Sequence, residues 1–266
     1  MIGLELETVD VQRSGRVAWI TLNRPDALNA WIRQLGEDML SALEHAAADA
    51  EVRAIVFTGA GRAFSSGADL KSGVSTRPDG SLDVAGVLRE VYNPLLLGLR
   101  TVPKPVVAAV NGPAVGIGCS LALACDLIVA AESAYFLLAF VNIGLALDGG
   151  ASLSLPARVG AARAFEMALL GERVPAAQAL EWGMVNQVVA DGALTETVTA
   201  LADRLAAGPP GSYAAIKRSV NHRLYDGFAE VLELEAGLQQ ERVGSKDFME
   251  GVASFLQKRQ PEFTGE

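Results

Sequence analysis

The sequence reads Val110-Asn-Gly-Pro-Ala-Val-Gly-Ile-Gly-Cys-Ser120 where an apolar run ends in a glycine-rich loop and then enters an apolar helix. A second junction of the same kind reads Thr58-Gly-Ala-Gly-Arg-Ala-Phe-Ser-Ser-Gly-Ala-Asp-Leu70. Glycine lets a backbone approach a ligand closely, and amides at the start of a helix carry partial positive charge. Side by side, the two loops would aim two N–H groups at one developing oxyanion, although either loop alone is equally consistent with a tight turn.

Outward from these junctions, strand-like runs alternate with helical patterns, which indicates an α/β core. Each loop follows a short run of β-branched and apolar residues that predicts a buried strand. Ser14-Gly15 separates two further runs and predicts a hairpin. The predicted strands cover residues 9–13, 17–22, 54–58, 106–110 and 127–130, and the predicted helices cover residues 28–48, 87–99 and 118–124.

After about Ala161 the pattern becomes mostly helical, with one strand-like run at residues 185–189. No stretch rich in Pro, Gly or Ser divides this part from the first, so the sequence predicts two subregions of one unit. The predicted helices cover residues 162–170, 176–182, 194–206, 213–224 and 228–242.

Composition and charge exclude some classes of partner. The formal net charge of −9 argues against nucleic acid, whose phosphates require a basic surface. An anionic small ligand remains possible, because it needs only a few cations and backbone amides. The apolar runs are too short to span a bilayer, and Cys119 and Cys125 suggest no disulfide framework. We therefore expect a cytoplasmic protein that binds neither nucleic acid nor membrane.

Other sites are poorly supported by the sequence. Gly116 and Gly118 do not form a dinucleotide fingerprint, because Leu121 stands where a third glycine is needed. His45 and His222 lie far apart on polar helix faces, so we expect both on the surface and no metal site.

Together, these segments resemble the crotonase superfamily of enoyl-CoA hydratases and isomerases. The family's N-terminal signature is resembled by Asn23-Arg-Pro-Asp-Ala-Leu-Asn29. Its first oxyanion loop is resembled by Ala63-Phe-Ser-Ser-Gly-Ala-Asp-Leu70, and the segment that leads into its second by Pro105-Val-Val-Ala-Ala-Val-Asn-Gly112. The next segments in order are Ala124-Cys-Asp-Leu127 and the tail Phe255-Leu-Gln-Lys-Arg-Gln-Pro-Glu-Phe263. The likeness covers nearly the whole chain in one order.

The resemblance implies an α/β fold with a ββα spiral core over residues 1–200, which binds acyl-CoA. A helical C-terminal region over residues 201–266 would serve oligomerisation, as the trimerisation part of the family does. Family members usually form trimers or pairs of trimers, so a homotrimer or hexamer is expected. Coenzyme A is part of the substrate, and no separate cofactor is implied.

The resemblance also implies roles for individual residues. The amides of Ala68 and Ile117 would form an oxyanion hole around a thioester carbonyl, and Asp69 would brace the first loop. The residues expected to bind coenzyme A are Ala27 and Leu28 near the pantetheine, Ser65 and Ser66 toward the adenine, Ala68 at the thioester, and Lys258 at the phosphates, across a subunit contact.

The chain departs from the hydratase pattern at two positions. Hydratases of the family carry glutamates where this sequence has Ser120 and Phe140. Neither side chain accepts a proton near neutral pH, so activation of water is poorly supported. A nucleophilic role for Ser120 is disfavoured, since no histidine forms a recognisable triad with it.

One acid remains near these positions. Asp148, in Gly144-Leu-Ala-Leu-Asp-Gly-Gly150, stands where several isomerases of the family carry Asp or Glu. A single carboxylate can remove a proton from one carbon and return it to another, provided that an apolar pocket raises its pKa. The other interpretation of Asp148 is a helix N-cap.

Three hypotheses follow from these residues. The first is a Δ3,Δ2-enoyl-CoA isomerase in which Asp148 is the proton shuttle, and it is the one that we favour. The second is a 2-enoyl-CoA hydratase, a lyase, that uses an unidentified acid or base. The third is a non-catalytic acyl-CoA binding protein.

Overall fold

The computed structural model describes residues 4–73 and 75–266. Its strands are β1 (Val9–Ser14), β2 (Val17–Leu22), β3 (Ala54–Gly59), β4 (Val106–Val110), β5 (Ala114–Val115), β6 (Leu127–Ala131), β7 (Tyr135–Leu137), β8 (Val174–Pro175) and β9 (Gln187–Val189). The larger sheet has the order β1-β2-β3-β4-β6-β9, and the smaller has the order β5-β7-β8. β1 and β2 form the predicted antiparallel hairpin, whereas the other neighbours in the larger sheet are parallel.

The helices alternate with the strands along the chain as far as β9, and the helices after it follow one another. The helices are α1 (Arg33–Ala48), α2 (Val84–Val87), α3 (Asn93–Thr101), α4 (Ile117–Ala124), α5 (Ala151–Leu170), α6 (Ala176–Glu181), α7 (Leu194–Ala207), α8 (Pro210–Leu224), α9 (Phe228–Val243) and α10 (Lys246–Gln257). A π-helical turn, Leu88–Tyr92, joins α2 to α3 into one continuous helical segment.

The parallel strands place the two glycine-rich junctions side by side. All residues of β4 are buried, as are nearly all of β3, which is typical of parallel strands covered on both faces. Ile55 to Thr58 pair in register with Val106 to Ala109. The loops that leave the carboxyl ends of these two strands therefore begin at the same edge of the sheet.

Helix α1 starts at Arg33 rather than at Leu28, so the predicted start was wrong. Leu28 and Asn29 adopt left-handed backbone conformations, with φ of 53° and 55°. The Asn29 side chain donates to the carbonyls of Ala60 and Ala63, and the backbone of this segment follows the first glycine-rich loop. These long-range contacts outweigh the helical pattern that Trp31 shares with the residues after it.

Other element bounds also differ from the sequence prediction. Helix α5 begins at Ala151 instead of residue 162, and it bends at Gly160, whose φ of 75° is not helical. The second helical segment runs from Val84 to Thr101, which is longer than predicted at both ends. The short strands β5, β7 and β8 and the helix α10 were not predicted at all.

The C-terminal helices divide into two groups. Helix α7 packs against β2, β3, β4 and β6, so the expected division after residue 200 falls within a helix that covers the sheet. The helices α8, α9 and α10 follow from Pro210 onward. Among the described residues, no helix is long and apolar enough to cross a membrane.

Candidate active site

The first glycine-rich loop is tied to the second by backbone hydrogen bonds. The Ser65 N–H donates to Pro113 O at 2.9 Å, and the Val115 N–H donates to Ser65 O at 2.9 Å. Gly67 has φ of +88°, and a Cβ added there would lie 3.0 Å from Val115 O. Glycine at this position therefore allows the two loops to meet, because a side chain would strain the backbone and push them apart.

The second loop ends at the N-terminus of α4. Gly116, with φ of 53° and ψ of −126°, is the N-cap of this helix, and Ile117 is its first residue. A Cβ added at Gly116 would lie 3.8 Å from the Cα of Gly67. The residues directly before Ala68 and Ile117 are thus in contact, which brings together the two predicted amide donors.

Both of these N–H groups are free to bind a ligand. Within residues 4–73 and 75–266, no hydrogen bond that the structure shows is donated by the amide of Ala68 or of Ile117. Ile117 is buried, whereas Ala68 is exposed, so the pair lies where a ligand can enter from solvent. Two unpaired amides at adjoining loops, one of them at a helix start, can stabilise negative charge on a carbonyl oxygen.

Asp148 lies against the first turn of α4. Its backbone carbonyl accepts a 2.9 Å hydrogen bond from the Ser120 hydroxyl. The next residue, Gly149, is so close to α4 that an added Cβ would lie 2.8 Å from Ile117 Cδ1. The structure therefore packs the Asp148-Gly149 segment against the Ser120 and Ile117 side chains at the start of α4.

The two carboxylate oxygens of Asp148 have different surroundings. Oδ2 accepts a hydrogen bond from Gln239 Nε2 at 3.1 Å, while Oδ1 is buried and has no partner in the described part of the chain. Asp148 as a whole is only 8% exposed. Burial raises the pKa of Asp148 well above its usual value, and the nearby Glu235 carboxylate raises it further, against the effect of the Gln239 hydrogen bond.

Asp148 is not the N-cap of α5, so this alternative interpretation was wrong. The N-cap is Gly150, and the amides at the start of the helix donate to Glu235 of α9 instead. Gly150 N–H reaches Glu235 Oε2 at 2.6 Å, and Ser152 N–H reaches Oε1 at 2.9 Å. The Asp148 side chain is therefore not needed to satisfy the end of the helix.

Sequence reasoning missed Glu235 and Gln239. They lie one turn apart on α9, and both are almost completely buried, at 2% and 1% exposed. The remaining buried residues of this helix are apolar: Phe228, Leu232, Ala236 and Val243. Two polar residues within that buried face were the available signal, because a buried polar side chain requires a partner.

Apolar and aromatic residues surround the cluster. Phe136 and Leu138 are fully buried, and the Phe140 ring lies 3.9 Å from a Cβ added at Gly116, so it packs on the second loop. The Trp31 and Tyr92 rings pack edge to face with centroids 4.8 Å apart. Burial raises the pKa of Tyr92, and the charge of Asp148 adds to the effect.

The residues expected near the pantetheine lie beside Ser66. The Ser66 N–H donates to Leu28 O at 2.9 Å, and its hydroxyl donates to Ala27 O at 3.3 Å. Ser65 differs from Ser66, because it is fully buried and its hydroxyl donates to Asn29 O at 2.9 Å. The Ser65 side chain therefore holds the loop together, and Ser66 is the more accessible of the two.

Lys258 lies apart from these residues. It is an exposed C-cap of α10 with a left-handed backbone, φ 56°. Within the described chain, no hydrogen bond or ion pair links its ammonium group to the segment from Ala27 to Ser66. Helix α10 packs against α9 and the turn Val141–Ile143. A contact between Lys258 and a ligand bound to another subunit stays a prediction.

Other polar residues of the site have structural partners. Asp69 forms a 3.1 Å ion pair with Arg24, as a residue that braces the first loop would. The Ser120 hydroxyl donates to the Asp148 carbonyl. His45 and His222 are exposed on the surface as expected, so neither acts as a base for the buried Ser120. Among residues 4–73 and 75–266, no group of His, Cys, Asp and Glu side chains is arranged to hold a metal ion.

Comparison with known proteins identifies the family. A probable enoyl-CoA hydratase from Rhodobacter capsulatus is 43% identical over 98% of this chain and 100% of its own length. The 1,2-epoxyphenylacetyl-CoA isomerase of Escherichia coli K12 is 40% identical over 94% of this chain and 95% of its own. The crystal structure of an enoyl-CoA hydratase from Mycobacterium avium subsp. paratuberculosis matches with a TM-score of 0.89 at 40% identity, over 98% of this chain and 100% of that chain.

The family model for enoyl-CoA hydratase/isomerase matches residues 12–266. The match includes both glycine-rich loops, Asp148 and the helices that follow. The chain therefore belongs to the enoyl-CoA hydratase/isomerase family and has the crotonase fold.

Proposed function

We propose that this enzyme moves a carbon–carbon double bond in an acyl-CoA, from position 3 to position 2, with Asp148 as the proton shuttle. The observation that carries the proposal is the buried Oδ1 of Asp148, which has no partner among the described residues and belongs to a segment that packs on α4. An unpaired carboxylate oxygen in an apolar pocket is suited to receiving a proton from carbon.

The reaction needs two contributions from the protein. Asp148 Oδ1 takes a proton from C2 of the 3-enoyl thioester, and the electron pair of the C–H bond moves into the thioester as an enolate. The amides of Ala68 and Ile117 would donate to the enolate oxygen, and each such donor is typically worth roughly 2.7–4 kcal/mol of barrier. The O–H of Asp148 then gives the proton to C4 as the double bond forms between C2 and C3.

A 2-enoyl-CoA hydratase is the second candidate, because the relative from Rhodobacter capsulatus carries that description. Hydration requires a group that activates water. Ser120, at the first glutamate position of hydratases, is buried and hydrogen-bonded to the Asp148 backbone, and Phe140, at the second, packs on the oxyanion loop. These contacts favour the isomerase, which needs only one acid.

The proposal includes the substrate's coenzyme A and the assembly. Ala27, Leu28 and Ser66 would contact the pantetheine and adenine side of the ligand, Ser65 would support them from within the loop, and Lys258 of a neighbouring subunit would reach the phosphates. Coenzyme A enters with the substrate and no separate cofactor takes part. The helices from α8 onward would hold a homotrimer or hexamer together.

The test is conversion of a medium-chain 3-enoyl-CoA to the 2-enoyl isomer, followed by the ultraviolet absorbance of the conjugated thioester. Loss of a general base is expected to reduce kcat of Asp148→Asn by roughly 10²–10⁴-fold. Asp203→Asn, an exposed aspartate on α7, is the matched control and should keep wild-type activity.

Other outcomes separate the alternatives. Hydration of a 2-enoyl-CoA that survives in Asp148→Asn would favour the hydratase and overturn the isomerase proposal. Binding of CoA thioesters without turnover of aliphatic or aryl-acyl substrates would identify a binding protein. The aryl-acyl substrates belong in the panel because the Escherichia coli relative is a 1,2-epoxyphenylacetyl-CoA isomerase.

A further inference from the structure

Helix α9 presents two polar side chains to the segment that carries Asp148. Gln239 Nε2 donates to Asp148 Oδ2 at 3.1 Å, and Glu235 accepts from the amides of Gly150 and Ser152. Both side chains are buried, and they are separated from their partners by more than eighty residues of sequence. The positions of the Asp148 carboxylate and of the backbone after it thus depend on one helix from the C-terminal region.

The contacts of Glu235 tie its carboxylate to the backbone at the start of α5. Each of its two oxygens already accepts a backbone N–H, at 2.6 Å and 2.9 Å. These amides belong to the first turn of α5, where a negative charge is favourable. Burial raises the pKa of Glu235, and the hydrogen bonds from Ser152 and Gly150 oppose this effect. Glu235 is therefore held in place close to Asp148, and among the described residues Asp148 Oδ1 is the oxygen of the pair that has no partner.

We propose that Glu235 and Gln239 are positioning residues, which hold Asp148 so that Oδ1 alone exchanges protons with the substrate. The inference rests on the proposed function of Asp148 and adds which atom acts and which residues direct it. Gln239 occupies Oδ2, and Glu235 fixes the turn Gly149-Gly150 from the other side. Neither residue needs to touch the substrate.

Glu235 and Gln239 have opposite effects on the pKa of Asp148. The Glu235 charge raises the pKa of Asp148, whereas the Gln239 hydrogen bond lowers it. The other groups that face Asp148 are the Ser120 hydroxyl on α4 and the Tyr92 phenol on the π-helical turn, whose pKa is itself raised by burial. Neither of these is charged near neutral pH, so Glu235 is the carboxylate whose charge adds to the larger effect of burial on the pKa of Asp148.

The experiment measures kcat/KM against pH for Glu235→Gln and Gln239→Leu. The acid limb of this profile reports the base of the free enzyme. Removing the charge at 235 should move the limb to lower pH, and removing the donor at 239 should move it to higher pH. In both variants kcat should fall by about tenfold, with KM nearly unchanged, because the contact is made to the base and not to bound CoA.

Glu233→Gln is the matched control, since Glu233 lies on the same helix but is exposed and paired with Arg89. It should reproduce the wild-type profile. Thermal melting checks that each variant is folded, and Gln239→Leu leaves the start of α5 intact if Glu235→Gln does not fold.

The outcomes distinguish this inference from the function on which it rests. Opposite displacements of the acid limb support positioning, because general damage to the fold would lower the rate without them. If the acid limb of both variants matches that of the wild type while Asp148→Asn is inactive, the positioning role of α9 is overturned and the proposed function stands. A fully active Asp148→Asn would instead overturn the proposed function.

Discussion

Asp148 is a carboxyl group that the folded chain stabilises in its protonated form. Its pKa is raised by burial and by Glu235, so the folded state binds this proton more tightly than the unfolded chain does. As pH rises from the ordinary value of 3.8 through the pKa of the folded state, the free energy of unfolding decreases. The residue proposed for catalysis thus lowers stability at neutral pH.

Asp148→Asn should therefore stabilise the protein while it removes activity. The amide is neutral at every pH, and its oxygen can still accept from Gln239. We expect the free energy of unfolding to rise by about 0.5–2 kcal/mol at neutral pH. Thermal melting of the wild type and the variant across pH measures the gain, which should vanish as pH falls toward 3.8. A lower melting temperature for the variant at neutral pH would contradict this account.

At the scale of elements, the meeting of two loops creates the geometry of the proposed oxyanion hole. Gly67 and Gly116 both have positive φ and approach each other closely, which leaves the next amide in each loop unpaired. The pairing of β3 with β4 provides the common edge from which both loops depart. The arrangement therefore depends on backbone shape more than on the identity of the side chains at Ala68 and Ile117.

Gly67→Ala should reduce turnover through this geometry. The new Cβ would meet Val115 O at 3.0 Å, so the loops must separate, and loss of one donor typically costs about 10²–10³-fold in kcat. Gly15→Ala is the control, because Gly15 also has positive φ but nothing lies within 4 Å of an added Cβ. Both variants should lose stability by roughly 1–2 kcal/mol. Equal kcat values for the two would refute the argument.

The sequence predicted the elements that local patterns determine and missed those that distant contacts determine. The two loops and the strands before them lie in short segments with their own signals of apolar runs and glycine, and Asp148 was singled out through the resemblance to isomerases of the family. By contrast, Asn29 leaves the helical pattern because its side chain bonds residues more than thirty positions away. Glu235 and Gln239 were missed for the same reason, since their partners lie 85 and 91 positions away.

At the scale of the whole molecule, α9 carries polar residues on its buried face and large apolar residues on its exposed face. Its inner face carries Glu235 and Gln239, while its outer face exposes Leu234 at 59% and Leu238 at 39%. Further large apolar side chains are exposed on α5, α8 and α10: Phe165, Leu169, Ile216, Val220, Leu224, Met249, Phe255 and Leu256. Apolar exposure on this scale supports the proposed assembly through the C-terminal helices.

Leu234→Glu with Leu238→Glu should weaken this assembly. Burying two carboxylates in an apolar interface is unfavourable, so we expect smaller species in light scattering at micromolar concentration. Glu241→Gln with Arg242→Gln, exposed polar residues of the same helix, should leave the molar mass unchanged. A wild-type mass for the double glutamate variant would exclude this face of α9 from the interface.

The hydrogen bond from Ser120 to the Asp148 carbonyl also limits how the two chemistries of the family can evolve into each other. A glutamate at position 120 would restore one acid of the hydratase pattern, but it would remove this bond. It would also crowd Gly149, which packs so closely on Ser120 that a Cβ added at Gly149 would lie 2.7 Å from Ser120 Cβ. A single codon change at this position would therefore damage the existing site before it created the new one. Exchange of the proposed activity for hydration at this site would therefore require a change in the turn at Gly149 as well as at position 120.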